Sequence, residues 1–352
     1  MLLSVALLGT TTAVLLGIAA WVVTAVRKVG LLPPRAPRGT QPTGHRVKLV
    51  DGLGLSHYAI FSKKGQWGQG EIDPERLVVH IHGMAAQLDQ LSWGVGGGLA
   101  QSLVDAGYTL LALDVLGHGF SDAPDIDFAP GDFLRQLVAL LDHLGITCAF
   151  HLIGFSHGCL IALAYAAEHP GRLKSLTLTS PFRGMLPQHT WRCAAGVYAF
   201  FVHLTFAGNI SQIRSIYRLI LHMEGNKLPQ LLKRVNESTQ FSVLIIAGEF
   251  ELDPVLRILQ TAKKIKDTLR RSRLYVLARG HHMSWAQGST EQQINFRAQI
   301  IDFLSRSGTA ASQLDTAPAH KQVETESART SHLPSAHRES ELEMRFVGLA
   351  KK

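Results

Sequence analysis

Residues able to do nucleophilic chemistry are concentrated in the run Gly154-Phe155-Ser156-His157-Gly158. Residues 149–153 are short and apolar enough for a buried strand, and residues 159–169 carry a helical pattern that stops at Pro170-Gly171. A strand that turns sharply into a helix strains the residue at the bend and holds its side chain clear of the backbone. Glycines two positions to either side of Ser156 remove the Cβ atoms that would clash in such a turn. The new helix also aims free N–H groups and its positive end at the same point, where a developing anion would be stabilised. Ser156 therefore reads as a nucleophile.

A serine hydroxyl needs a base to take its proton, and the base needs an acid to orient it. Both types occur downstream. The apolar run 243–247 leads into Gly248-Glu249-Phe250-Glu251-Leu252-Asp253-Pro254, and the run 274–277 leads into Ala278-Arg279-Gly280-His281-His282. An acid and a histidine beyond the ends of successive parallel strands fall on the sheet edge where the serine turn lies, and ligands bind at that edge in open α/β sheets. Glu251 and Asp253 are both candidates for the acid, and His281 and His282 for the base.

The elements that must position these groups can be read along the chain. Strands are expected near 46–50, 57–61, 77–81, 108–113, 176–179, 243–247 and 274–277, and a helix over 132–144 with Phe133, Leu137, Leu140 and Leu141 on one face. Strands alternating with helices imply a mostly parallel central sheet covered by helices on both faces. Between residues 182 and 240 the alternation stops. This insert has two helix-like pieces and carries seven basic residues against two acidic ones (Glu224 and Glu237), with Trp191, Tyr198, Phe200, Phe201 and Phe206 in its first half. A lid over the site is expected there.

With these elements in place the sequence resembles the α/β-hydrolase superfamily over roughly residues 46–305. Four segments carry the resemblance: His80-Ile81-His82-Gly83-Met84, Asp114-Val115-Leu116-Gly117-His118-Gly119-Phe120-Ser121-Asp122, the turn at Ser156, and Gly280-His281. The resemblance implies the α/β-hydrolase fold with a helical cap at about 182–240. It also implies an oxyanion hole made by the backbone N–H groups of Met84 and His157. In similar proteins the acid commonly follows the strand-ending glycine by about three residues, which selects Glu251, and is often followed by Pro-Val, which selects Asp253. Asp253 is preferred, with Glu251 as the alternative. The Gly-His step prefers His281 over His282. Together these imply a serine hydrolase of the esterase or lipase type, cleaving carboxylic esters through an acyl-serine intermediate. Acyl transfer, carbon–carbon bond hydrolysis and a non-catalytic membrane-anchored scaffold are the alternatives on the same fold. Dehalogenases and epoxide hydrolases share the cap but use a carboxylate nucleophile, which Ser156 argues against.

Charged residues are 18% of the 352-residue chain, low enough to suggest that part of it is not in water. Residues 2–26 contain no ionisable side chain and could cross a bilayer as a helix, with Trp21 near the interface. Arg27, Lys28, Arg35, Arg38, Arg46 and Lys48 follow, with no acidic residue before Asp51. The expected organisation is an anchor at 1–28, a Pro-rich linker at 29–45, a hydrolase domain at 46–308 and a disordered tail at 309–352. The basic flank places the catalytic domain in the cytosol, behind a single-pass N-terminal anchor. The anchor ahead of a capped hydrolase resembles membrane-bound monoacylglycerol-lipase-type enzymes, whose substrates are lipid-like esters such as a monoacylglycerol or lysolipid.

The net charge of +8 fits a membrane surface; no nucleic-acid-binding motif accompanies it. No cofactor or metal is expected. His80 and His82 form an H-x-H pair, but no further spaced ligand follows. His118 is expected to bond locally in its Gly-rich turn and His151 to be a core histidine. Cys148, Cys159 and Cys193 lack C-x-x-C spacing and suggest no disulfide framework. Asn209 and Asn236 begin glycosylation sequons that matter only in a lumen.

Overall fold

The computed structural model describes residues 43–181, 218, 228–249 and 258–309, apart from Asp51, Ala85, Asp127 and Thr239. The expected anchor, all but the end of the linker, most of the cap, the tail beyond residue 309, and both candidate acids, Glu251 and Asp253, lie outside the described residues.

The described strands are β1 (His45–Lys48), β2 (Leu55–Phe61), β3 (Gly65–Gln66), β4 (Gln69–Gly70), β5 (Leu77–Ile81), β6 (Thr109–Asp114), β7 (Phe150–Phe155), β8 (Leu173–Thr179), β9 (Ser242–Gly248) and β10 (Ser272–Leu277). They form one sheet in the order β10-β9-β8-β7-β5-β6-β2-β4-β3, with β1 also paired to β2. From β6 to β10 every neighbouring pair is parallel, while β2 runs antiparallel to both β6 and β1.

Side chains alternate between two cores, as the two-residue period of a strand requires. Leu77, Val79 and Ile81 of β5 face one core and Val78 the other, and Val243, Ile245 and Ala247 of β9 are likewise separated from Leu244 and Ile246. Helices α1 (Gly98–Asp105), α2 (Pro130–His143), α3 (Gly158–Glu168), α4 (Leu228–Ser238), α5 (Ile258–Thr268), α6 (Ser284–Gln287) and α7 (Thr290–Thr309) cover the faces. Leu137 and Leu140 of α2, Ile161 and Leu163 of α3, Leu232 of α4 and Ile265 of α5 enter the first core. Leu99 and Leu103 of α1, Trp285 of α6, and Ile300 and Phe303 of α7 enter the second. Helix α3 is apolar all round because it is buried between the sheet, α2 and α4.

Three elements depart from the sequence reading. The β3–β4 hairpin is absent from that reading because its strands are two residues long, and α1 is absent although Leu99, Ala100, Leu103 and Val104 repeat at helical spacing. The last stretch of the region read as an insert, α4, packs Leu228, Leu232 and Val235 into the main core. Among the described residues no helix is long and apolar enough to cross a membrane; the apolar run at 2–26 lies outside them.

The chain enters the parallel part of the sheet at β5, moves to β6 on one side, then returns to β7 on the other. The connections after β5 and β7 therefore leave in opposite directions, and the crevice this opens at their C-terminal ends is where open α/β sheets bind ligands.

Candidate active site

Ser156 follows the last residue of β7 directly and takes a φ of +52°, a left-handed conformation that costs a non-glycine residue roughly 1–2 kcal/mol. Its N–H donates to Thr179 O at 2.9 Å, and its carbonyl accepts from Cys159 N–H at 3.0 Å, which fixes the bend to β8 on one side and to α3 on the other. The flanking glycines have separate reasons. A Cβ on Gly154 would lie 2.6 Å from Gly158 O, so Gly154 lets α3 fold back over β7. A Cβ on Gly158 would lie 2.3 Å from Ile81 O and 2.6 Å from His82 O, so Gly158 lets α3 begin against the end of β5. The elbow expected from sequence is present, with β7 reaching Phe155 rather than stopping at residue 153.

The loop after β5 lies against this elbow. A Cβ on Gly83 would approach Phe155 Cδ1 and Ser156 Cβ to 3.0 Å each. Met84 follows Gly83, and His157 follows the serine, so both candidate oxyanion donors sit at the adjacent ends of β5 and β7. Among the described residues neither N–H donates to a backbone carbonyl outside regular helix or strand pairing. The His157 side chain is buried edge-on to Phe133 at 5.4 Å, and burial pushes its pKa down to about 4, so the imidazole is neutral.

The histidine loop begins where β10 ends. Arg279 is held at φ +52°, and its N–H donates to Glu249 Oε2 at 2.8 Å; Gly280 N–H closes back on Leu277 O at 2.9 Å. A Cβ on Gly248, at the end of β9, would lie 2.4 Å from Gly280 O and 2.9 Å from His281 N. His281 is half-buried, donates its N–H to Ser284 Oγ at 2.7 Å, and accepts a long 3.3 Å bond from Met283 N–H at Nδ1. His282 is buried, with its ring 5.0 Å from that of Phe155, the residue before the serine. The doublet thus separates into a buried packing partner of the elbow strand and a more open imidazole. Glu249, which was not singled out from sequence, anchors the loop that carries both.

A second group missed from sequence lies under the loops. Asp114, at the end of β6, is fully buried; Oδ2 accepts from His57 Nδ1 at 2.7 Å and Phe120 N–H at 2.9 Å, and Oδ1 accepts from Leu88 N–H at 2.7 Å. Burial alone would raise its pKa, but the His57 hydrogen bond, the neighbouring His82 and the Phe120 amide outweigh it and hold the carboxyl below its ordinary range. His57 Nε2 faces Thr43 O at 3.0 Å, so both ring nitrogens lie against oxygen atoms. Gly119 makes this possible: at φ +51°, a Cβ there would lie 2.1 Å from Asp114 Oδ2. The sequence signal was the acid followed by a Gly-x-Gly turn, but His57 lies far away on β2 and had no local mark.

Three further histidines, His82, His118 and His151, have structural partners. His82 uses both ring nitrogens, toward Gly83 O at 2.7 Å and from Val115 N–H at 3.0 Å, which leaves no lone pair for a metal. His118 Nδ1 bonds Leu116 O at 3.1 Å, and His151 Nδ1 bonds Ser175 Oγ at 2.7 Å in the core.

Comparison with known proteins agrees with this fold. The family model described as alpha/beta hydrolase fold matches residues 76–213. A 78-residue stretch, 21% of this chain, is 38% identical to "Probable lysophospholipase BODYGUARD 1" of Arabidopsis thaliana, and an 84-residue stretch, 24% of the chain, is 42% identical to homoserine O-succinyltransferase of Xanthomonas campestris. These stretches span only 16% and 22% of the two relatives' own lengths. Among solved structures, the enol-lactonase of Burkholderia xenovorans superposes with a TM-score of 0.59 over 74% of this chain and 100% of that one, at 16% identity. The chain therefore has the α/β-hydrolase fold.

Proposed function

We propose that this chain is a serine hydrolase that cleaves carboxylic esters through an acyl-serine intermediate. The observation that carries this reading is the strained Ser156, held at φ +52° at the sheet's switch point, with the Gly83–Met84 loop laid against it. The Ser156 Oγ attacks the ester carbonyl carbon as His281 Nε2 takes its proton, which requires the proton of the resting ring on Nδ1 and the long 3.3 Å bond from Met283 N–H to be given up. The carbonyl oxygen becomes an oxyanion that accepts from Met84 N–H and His157 N–H. Collapse breaks the ester C–O bond, and His281 returns the proton to the departing alcohol. Water, deprotonated by His281, then attacks the acyl carbon; collapse releases the acid and restores Ser156. Asp253 orients His281 in this scheme, with Glu251 as the alternative acid.

The proposed substrate is a lipid-like ester, a monoacylglycerol or lysolipid. Support comes from the apolar run at 2–26, the basic flank after it, and the aromatic-rich insert, together with the lysophospholipase name of the plant relative. The same features favour a membrane-anchored enzyme with its catalytic domain in the cytosol. Acyl transfer is the second reading, favoured by the likeness to a homoserine O-succinyltransferase; an acceptor alcohol then takes the place of water.

The test is Ser156→Ala, assayed on a long-chain monoacylglycerol and on a short p-nitrophenyl ester. Loss of turnover by several orders of magnitude with an unchanged thermal midpoint is expected. Retained hydrolysis with ordinary kinetics contradicts the serine mechanism.

A further inference from the structure

One buried imidazole grips the peptide unit that carries the candidate oxyanion donor. Gly83 O and Met84 N–H belong to the same peptide, and in a planar trans unit they point in opposite directions. Whatever fixes the carbonyl therefore fixes the aim of the N–H. Gly83 contributes no side chain to hold this unit, and glycine backbone is the most easily rotated. The carbonyl accepts from His82 Nδ1 at 2.7 Å, and from Ala86 N–H at a longer 3.3 Å.

The imidazole is itself fixed. Its Nε2 accepts from Val115 N–H at 3.0 Å, just past the end of β6, so the proton must sit on Nδ1, where it meets Gly83 O. Burial pushes His82 below its ordinary pKa, although Asp114 and the Gly83 carbonyl partly oppose this, and the ring stays neutral in this tautomer near pH 7. The ring of His118 lies 5.4 Å away, and Asp114 ties Leu88 N–H, farther along the same loop, at 2.7 Å.

We infer that His82 is a positioning residue for catalysis, locking the Gly83–Met84 peptide so that Met84 N–H stays aimed at the position the oxyanion takes. The inference rests on the serine-hydrolase reading above. A misaimed donor weakens transition-state binding while leaving substrate binding nearly intact, so the cost falls on kcat rather than KM.

Two substitutions in the full-length protein separate this role from simple core filling. In His82→Asn the side-chain amide occupies the place of Nδ1 and can donate to Gly83 O, but cannot reach Val115. In His82→Gln the amide reaches toward Val115 N–H and loses the Gly83 bond. The expected result is a kcat at least about 10-fold higher for His82→Asn than for His82→Gln, with similar KM; loss of one oxyanion donor costs on the order of 100-fold or more. Equal kcat values, or a better His82→Gln, overturn the inference. Ser156→Ala in parallel keeps the two claims apart, since activity surviving that change defeats the hydrolase reading itself. Nitrogen NMR of the unaltered protein adds a test independent of how the variants fold. The His82 ring must show a protonated Nδ1 and a bare Nε2 at neutral pH, and the opposite tautomer overturns the inference.

Discussion

A methyl group on Gly83 would stand 3.0 Å from the Cβ of Ser156, closer than nearly all such contacts in proteins. The loop that carries the candidate oxyanion donor is therefore pressed against the root of the nucleophile, and the missing side chain sets the spacing between the two. Gly83→Ala is expected to push the loop outward by a few tenths of an ångström. Steady-state kinetics should show kcat/KM reduced about 10- to 100-fold, as misplacement of a reacting group does. The thermal midpoint should fall only slightly, since Gly83 has no left-handed φ to lose.

The partners of Ser156 are ranked by a second pair of substitutions. Asp253→Asn and His281→Ala should each lower kcat by several orders of magnitude, because an amide cannot hold the imidazole in its working tautomer. Glu251→Gln should be mild. His282→Ala should cost stability more than kcat, because its buried ring packs on Phe155. The reverse ranking in either pair assigns that role to the neighbouring residue.

Much of this arrangement could be read from the chain before the structure. The strands β5, β6, β7 and β9 are short, mostly apolar runs, and the elbow glycines are fixed by local sterics, so both leave marks in sequence. The hydrogen bond of His57 with Asp114 does not, because β2 joins the sheet beside β6 through pairing that no short-range pattern encodes. Glu249 was hidden for another reason. Its carboxylate holds a backbone N–H, that of Arg279, which is a geometric role shared by many exposed acids. The hairpin of β3 and β4 has two-residue strands, too short for periodicity to show.

Stability should fall in mild acid. Burial, as the main cause, pushes His80 and His118 down to about 3 and His151 and His157 to about 4, from an ordinary value of 6.5. Below pH 6.5 the unfolded chain takes up protons that the folded chain refuses, so stability is lost progressively from there toward pH 4. The depressed carboxyl of Asp114 acts in the same direction at still lower pH, as it becomes protonated. Thermal midpoints measured from pH 7.5 to 5 should decline steadily. A flat or rising profile contradicts neutral burial of these rings.

Membrane attachment can be separated from chemistry by shortening the chain. The cut must leave Thr43, whose carbonyl meets His57 at 3.0 Å. A chain beginning near residue 40 is expected to hydrolyse short p-nitrophenyl esters at the full-length rate and to lose most of its activity on long-chain lipid in vesicles. Equal activity on vesicle lipid would remove the N-terminal run from substrate delivery. In the intact chain in eukaryotic cells, Asn209 and Asn236 should remain unglycosylated if the domain is cytosolic, and a glycosidase-sensitive mass shift would place it in a lumen.

The central claim is that Ser156 is an activated nucleophile, and covalent trapping tests it most directly. The full-length protein should be treated with a fluorophosphonate, digested and mapped by mass spectrometry. The account predicts one adduct, on the peptide containing Ser156, that forms on the native protein and not after heat denaturation. An unmodified native protein, or an adduct on any other residue, would contradict it and favour a hydrolase fold kept for a role other than catalysis.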